Sequence, residues 1–440
     1  MLSTANSDID GIILVPYKFY WESQFVLDFL GDFDCIEKKC VNNLKENVVL
    51  EQGMKNGDNS LFCKLCEHPS VENLKRIFGR VPIIGLKFGG FEFDLLFVTL
   101  EANTIDKYFK EENSLTVTQV DEAIKELTKN IRDIDKLSPK RRGMVFTLSG
   151  LRANLRVIEL LKERENLYKF RLIHITLKLW AKENFIYGGQ FGFLSSSSLT
   201  VIICKIIIEN PAFSTIFSIK YIFEYLIEWI ELPSDKEKII SLEEEEKESI
   251  KIKEKSNEKS IWKIISPGFP VQNVGFNVNK STEKIIKEEI KNGNLSRKMY
   301  NNYLAIICSH TTASIYGPSF CDYTGTRIRI GVFSEIEGQN SNIEYCHVSP
   351  TKYLNTQNCP RNIRKDLNLE EGLCTVWIVG IKGNVENGEL ETILEKFSEN
   401  ILNSFNNTID VKKKKVDQET YFLNTIFVTK EELMKWKKIN

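Results

Sequence analysis

Apolar residues fall into three textures along the chain. The first hundred residues carry them in short runs. Residues 11–15 are rich in β-branched side chains and close at Pro16, which reads as a buried strand. Two further runs, 80–88 and 91–100, flank Gly89-Gly90 and read as a hairpin with a two-residue turn. Residues 17–33 read as a helix with Phe19, Phe25, Val26, Phe29 and Leu30 near one face, and 35–74 is polar and irregular.

The second texture has helical spacing. Residues 106–135 are polar with helical segments. Residues 148–181 read as two helical stretches broken near Glu165-Asn166. Ser195-Ser196-Ser197-Ser198 opens an apolar helix over 199–208. Residues 213–232 form a helix or helix pair stopped by Pro233. The run 234–260 is charged and of low complexity, a solvated helix or disordered insertion without chemistry of its own. A helix follows over 281–291, with Ser281 as its cap.

From residue 300 the texture turns to strands, at 303–308, 326–333, 343–348, 375–381 and 422–428. An amphipathic helix covers 389–404. Several strands with one or two helices predict a small α+β domain of ferredoxin-like type.

Composition adds bounds. A chain of 440 residues suggests two to four domains. Hydrophobic content of 42% supports packed cores. A net charge of -1 gives no global basic field for nucleic acid, so any RNA surface is local. Lys412 to Lys415 is the obvious basic run, and a solvated face is its plainer meaning. No signal peptide or run of membrane length is visible. Ten cysteines without dense spacing suit a reducing interior.

The candidate chemistry begins at the first strand. Asp8 and Asp10 are two apart at its start, and residues i and i+2 of a strand share a face. A bare Asp-x-Asp is most often a solvated turn. Asp94, set in the apolar stretch 91–98, adds a third carboxylate, and a buried Asp needs a partner or a metal. If the two strands are neighbours, three carboxylates can hold two hard cations that clamp an in-line phosphoryl displacement. Lys178 lies inside an apolar helical pattern, where a snorkelling lysine is the bland reading. His174 reads as a satisfied core histidine. The serine run caps its helix, and the same amides make a phosphate site. Cys35, Cys40, Cys63 and Cys66, with His68 close by, have spacings compatible with zinc, though loop thiols are commoner.

Several separated stretches then coincide. SDIDGIILVP (7–16), VPIIGLKFGGFEFDLLF (81–97), LSGLR (148–152), FRLIHITLKLWAKENFIY with GFL (170–194), NVNKSTEKIIKEEI (277–290), CHVSP (346–350) and TVWIVGI (375–381) resemble, in order, the eukaryotic nuclear poly(A) polymerases of the nucleotidyltransferase superfamily. The resemblance implies an α+β multidomain fold. Residues 1–110 would be the α/β catalytic domain of DNA polymerase β type, with an insertion at 35–74. Residues 111–299 would be a helical central domain and 300–440 an RRM-like RNA-binding domain.

The resemblance also implies the site. Asp8, Asp10 and Asp94 match the metal-binding triad for two Mg²⁺ or Mn²⁺ ions. Lys178 matches a triphosphate contact and Tyr187 a nucleotide contact. Val81 and Ile83 match positions lining sugar and base. Ser149, Ser196 and Ser197 stand at nucleotide-binding positions. The implied activity is template-independent addition of AMP from ATP to RNA 3′ ends in mRNA processing. It implies a nuclear monomer, recruited by cleavage and polyadenylation factors and with no membrane role.

There are departures. The family's Gly-Ser turn, which cradles the triphosphate, has no counterpart before Ser7, so the catalytic domain reads as N-terminally incomplete. Ser195-Ser196-Ser197 replaces Gly-Gly-Val, Ser149 replaces an asparagine, and Gly85 replaces a lysine for which Lys87 is a partial substitute. These changes leave two competing readings. One is a catalytically impaired paralogue that binds RNA or processing factors. The other is a nucleotidyltransferase of different base preference.

Overall fold

The computed structural model describes residues 8–16, 29–30, 60–77, 81–109, 115–129, 134–162, 164–233, 238–243, 260–292, 300, 302–311, 314, 316–354, 372–383, 390–408 and 421–428. The chain gathers into two compact units. One comprises Met1–Arg171, Ser241–Ile250 and Ser266–Gln272; the other comprises Leu172–Ile240, Lys251–Ile265 and Asn273–Asn440.

The first unit is built on a four-stranded sheet. Its strands are β1 (Ile9–Pro16), β2 (Val71–Ile77), β3 (Ile83–Phe88) and β4 (Phe91–Leu100), in the order β1-β4-β3-β2. β1 runs parallel to β4, and the other two pairings are antiparallel. The β3–β4 hairpin turns at Gly89 and Gly90, both at positive φ (57° and 84°), the backbone that a tight two-residue turn requires. The predicted strand and hairpin are both present.

Alternation splits the sheet residues between two cores. Ile84, Leu86, Leu74 and Phe97 face Phe29, Leu30, Phe62, Cys63 and Cys66. The last three lie in α1 (Leu61–Glu67), which Ser60 caps through its hydroxyl. Val98 and Leu100, with Ile12 and Leu14, face the opposite core. Its helices are α2 (Ala102–Tyr108), α3 (Val117–Thr128) and α4 (Pro139–Leu160). Of the expected helix over 17–33, only residues 29–30 are described, and they are helical.

α4 ends at Leu160 with its cap at Leu161, a few residues before the expected break, and α5 (Arg164–Glu183) follows. In the second unit, α6 (Ser196–Glu209) and α7 (Thr215–Ile230) follow, then the short strands β5 (Ile239–Ile240), β6 (Lys263–Ser266) and β7 (Gln272–Asn273). α8 (Lys280–Asn292) begins one residue before the expected cap. Asn279 caps it, its Oδ1 accepting from Thr282 N–H at 2.9 Å, while Ser281 donates its hydroxyl to Glu337.

The C-terminal part carries β8 (Asn302–Thr311), α9 (Gly317–Gly331), β9 (Ile343–Leu354), β10 (Gly372–Gly383), α10 (Glu391–Thr408) and β11 (Tyr421–Val428). This βαββαβ order, with an antiparallel sheet arranged β11-β8-β10-β9, is the ferredoxin-like arrangement expected from the sequence. One expected strand is wrong. Residues 326–333 complete α9 and enter a π-helical turn over Val332–Glu337. Threonine, isoleucine and arginine alternate there with period two, but two glycines decide the matter. A Cβ on Gly325 would lie 3.2 Å from the Trp377 ring, and one on Gly331 2.5 Å from the Phe397 ring. Close packing on a helix overrides strand propensity.

The middle of this second sheet is buried on both faces, while Leu373 and Phe422 at one end are exposed. Leu304, Ile306 and Cys308 of β8 share the face of Trp377 and α9. Ala305, Ile307, Ser309, Ile378, Tyr345 and His347 point the other way and are equally buried. Part of their cover is α8: Glu288 accepts from the Tyr345 hydroxyl at 3.3 Å, and Lys284 lies 5.5 Å over the same ring. An RRM stacks RNA bases on that second face; here it is an internal packing surface.

Candidate active site

The expected site residues divide between the two units, and each set is described within its own unit. In the first, register places Asp10 directly opposite Asp94. Residues opposite one another in neighbouring strands share a face, and alternation adds Asp8 to it. Below this row the face is covered by the α2–α4 core; at the row it is open, with Asp8 and Asp10 exposed and Asp94 half-buried. Partial burial raises the Asp10 carboxyl above the ordinary range, and Asp8 raises it further. Burial also raises Asp94, followed by Asp8 and Asp10, while Lys75 pulls it down.

The three acids therefore repel one another. Among the described residues no three His, Cys, Asp or Glu side chains are gathered closely enough to hold a metal ion as they stand. The donor set, all carboxylate oxygen, fits hard divalent cations such as Mg²⁺ or Mn²⁺.

Val81 and Ile83 are half-buried at the start of β3. Ser149 is turned inward. It is 2% exposed, donates to the Pro270 carbonyl and accepts from Gln272 Nε2, both at 3.2 Å. Arg152 reaches the same loop, donating to the Pro267 carbonyl at 2.7 Å while pairing with Asp121 at 2.6 Å. The LSGLR segment thus anchors residues 266–272. A nucleotide could reach Ser149 only by displacing those bonds.

In the second unit, α5 presents His174, Lys178 and Lys182 at spacing i, i+4, i+8, which puts them on one face. Tyr187 lies beside them, its ring 5.7 Å from Lys178 Nζ and 5.5 Å from Lys182 Nζ. The start of α6 completes the group. Ser195 and Ser198 are spent on a reciprocal cap, with bonds of 3.0 and 2.7 Å, which leaves Ser196 half-buried and Ser197 exposed. Ser196 bonds the Tyr187 hydroxyl, which burial otherwise pushes up. His174 Nε2 meets the Ser196 carbonyl at 3.2 Å. Burial first, and Lys178 to a smaller extent, hold His174 below its ordinary value against the bond to Ser196, which raises it. A helix N-terminus with two lysines beside it suits a polyanion.

Sequence reasoning gave His174 no role, although its spacing to Lys178 was a signal. It also gave His347 none. His347 Nε2 donates to the Phe185 carbonyl at 2.9 Å, and Nδ1 meets the Tyr300 hydroxyl at 2.5 Å. Phe185 has φ 57°, so this chain of bonds holds a strained turn two residues before Tyr187. The link spans 162 residues of sequence and leaves no local signature.

The zinc pattern is not assembled among the described residues. Cys63 and Cys66 are packed in an apolar core, His68 Nδ1 accepts from Ser70 N–H at 3.2 Å, and Cys35 and Cys40 lie outside the described residues. Lys412 to Lys415 lie outside them too, as does most of 234–260. No described helix is long and apolar enough to cross a membrane.

Comparison with known proteins bears on residues 169–303, which match the poly(A) polymerase central domain family. That segment contains Lys178, Tyr187 and the serine run. The chain is related to the poly(A) polymerases. It is 25% identical to a poly(A) polymerase of Entamoeba histolytica over 53% of this chain and 39% of the relative. It is 22% identical to nuclear poly(A) polymerase 2 of Arabidopsis thaliana over 66% of this chain and 36% of that one. A poly(A) polymerase of Dictyostelium discoideum is 27% identical over 53% and 26%. The chain therefore spans less than two fifths of the length of these curated relatives.

Proposed function

We propose that this chain is a template-independent polynucleotide adenylyltransferase that adds AMP from ATP to RNA 3′ ends. The observation that carries the reading is Asp10 set in register against Asp94, beside Asp8, on the uncovered end of a sheet face. Three acids that raise one another on one sheet face cost stability, which disfavours the reading of a binding-only paralogue. Two divalent ions held by Asp8, Asp10 and Asp94 would, when bound, promote attack of the RNA 3′-hydroxyl on the α-phosphate and neutralise the leaving pyrophosphate.

The chain's own groups would position the reactants. Lys178, Lys182 and the first amides of α6 bind the triphosphate, and Ser196 and Ser197 add hydroxyls there. Tyr187 gives the nucleotide an aromatic surface, and Val81 and Ile83 line the sugar and base. This is catalysis by positioning and electrostatics. The role would be in mRNA 3′-end processing in the nucleus, with cleavage and polyadenylation factors as partners; the central-domain match and a relative named nuclear poly(A) polymerase 2 support its polyadenylation and nuclear parts.

The test uses the purified full chain, an oligo(A) primer and ATP with Mg²⁺ or Mn²⁺. Asp94→Ala should lower incorporation by roughly a thousandfold or more while leaving thermal unfolding in place. Full activity in that variant sinks the reading. Competition among the four nucleotides separates adenylyl transfer from another base preference.

A further inference from the structure

One row of positions crosses the whole catalytic sheet. Lys75 of β2 stands opposite Gly85 of β3, Gly85 opposite Asp94 of β4, and Asp94 opposite Asp10 of β1. Positions opposite one another share a face. Lys75, Asp94 and Asp10 therefore project from the same side, with Gly85 as the gap between base and acids. The gap is filled from one direction. A Cβ at residue 85 would lie 3.0 Å from Lys75 Cε and 3.1 Å from its Cγ. The lysine stem lies across the glycine, towards Asp94. Two strand spacings put the Lys75 and Asp94 backbones about 10 Å apart, and an extended lysine spans more than half of that.

The charge delivered there is not consumed. Among the described residues Lys75 closes no ion pair, with Asp94 or any other acid. Lys87, expected to supply this cation, is engaged instead with Glu72 at 2.9 Å. Lys75 still acts on Asp94 from a distance, drawing its carboxyl down. An ammonium held on the Asp94 side of the row, short of pairing with it, is placed for a polyanion that docks there.

We propose that Lys75 is a phosphate-binding residue of this site, its ammonium carried across Gly85 to the triphosphate of the nucleotide seated beside Asp10 and Asp94. The proposal rests on the nucleotidyltransferase reading and adds a residue to it. Gly85 is then a specific requirement, because any side chain there displaces the lysine stem.

The experiment measures equilibrium binding of ATP, tripolyphosphate and adenosine to the full chain, with Mg²⁺ and again in EDTA. Lys75→Met keeps the stem and removes the charge. It should weaken ATP and tripolyphosphate binding about tenfold and leave adenosine binding unchanged. Lys75→Ala combined with Gly85→Lys moves the cation one strand along the row. With Lys75 shortened, the close contact left for a new Cβ is the flexible Ile77 methyl at 3.2 Å, and phosphate binding should return. Lys178→Ala and the unaltered chain fix the frame. If the unaltered chain binds none of the three ligands, the functional reading falls, and this proposal with it. If it binds ATP and Lys178→Ala does not, but Lys75→Met binds as before, only this proposal is overturned. Equal loss of adenosine and tripolyphosphate in Lys75→Met also overturns it, because the effect is then not one on phosphate.

Discussion

The two four-stranded sheets use the same alternation to opposite ends. In the first sheet one face packs Leu74, Ile84, Leu86 and Phe97, while on the other the cover stops short of Asp8, Asp10, Asp94 and Lys75. The C-terminal sheet packs both faces along its central strand: Leu304 and Ile306 on one side, Ala305 and Ile307 on the other, all at 0% exposure. Charge is affordable on a strand only where the covering layer stops. The domain that resembles an RNA platform in topology is thus used as a wall, and its second face buttresses other parts of its own unit.

Substitutions can break this contrast. The largest effect belongs to the buried middle of the C-terminal sheet. Ile307→Lys puts an ammonium into a face with no water and should destabilise the second unit by more than about 4 kcal/mol. Urea denaturation read by tryptophan fluorescence checks it, since Trp377 lies in the neighbouring strand opposite Ile306; an unchanged midpoint would show that the face is open. A middle-sized effect belongs to His347→Phe. It keeps the ring contact with Phe193, 5.2 Å between centroids, and removes the bonds to Phe185 and Tyr300. It should cost about 2 kcal/mol and raise the KM for ATP more than it lowers kcat. Equal KM values would reduce His347 to packing alone. The smallest effect has the opposite sign. Asp94→Asn removes one of three repelling charges, so the metal-free chain should melt slightly higher. A lower melting temperature would mean that the acids do not repel.

Much of this contrast was legible in the sequence. The β-branched run before Pro16 and the Gly89-Gly90 turn announced β1, β3 and β4, because buried strands and tight hairpins have local signatures. That Asp10 and Asp94 share a face was legible once those strands were taken as neighbours. What escaped depends on register or distant contacts. Lys75 joins the acids only through two successive strand pairings, so nothing near it in sequence marks it, and Lys87 looked better placed. Ser149 seemed to face a nucleotide until the loop at 266–272 came to lie on it. Residues 326–333 imitate a strand locally, and only the rings of Trp377 and Phe397 show why Gly325 and Gly331 belong to a helix.

The bond between His347 and Phe185 also has a consequence in time. A ribosome adding about 5–20 residues per second takes on the order of ten to thirty seconds to travel the 162 residues from one partner to the other. Throughout that interval Lys178, Tyr187 and the serine run have been synthesised, but the turn that carries the tyrosine has no buttress. A nascent chain therefore carries Lys178, Tyr187 and the serine run without the fixed geometry of that turn until residue 347 has been made.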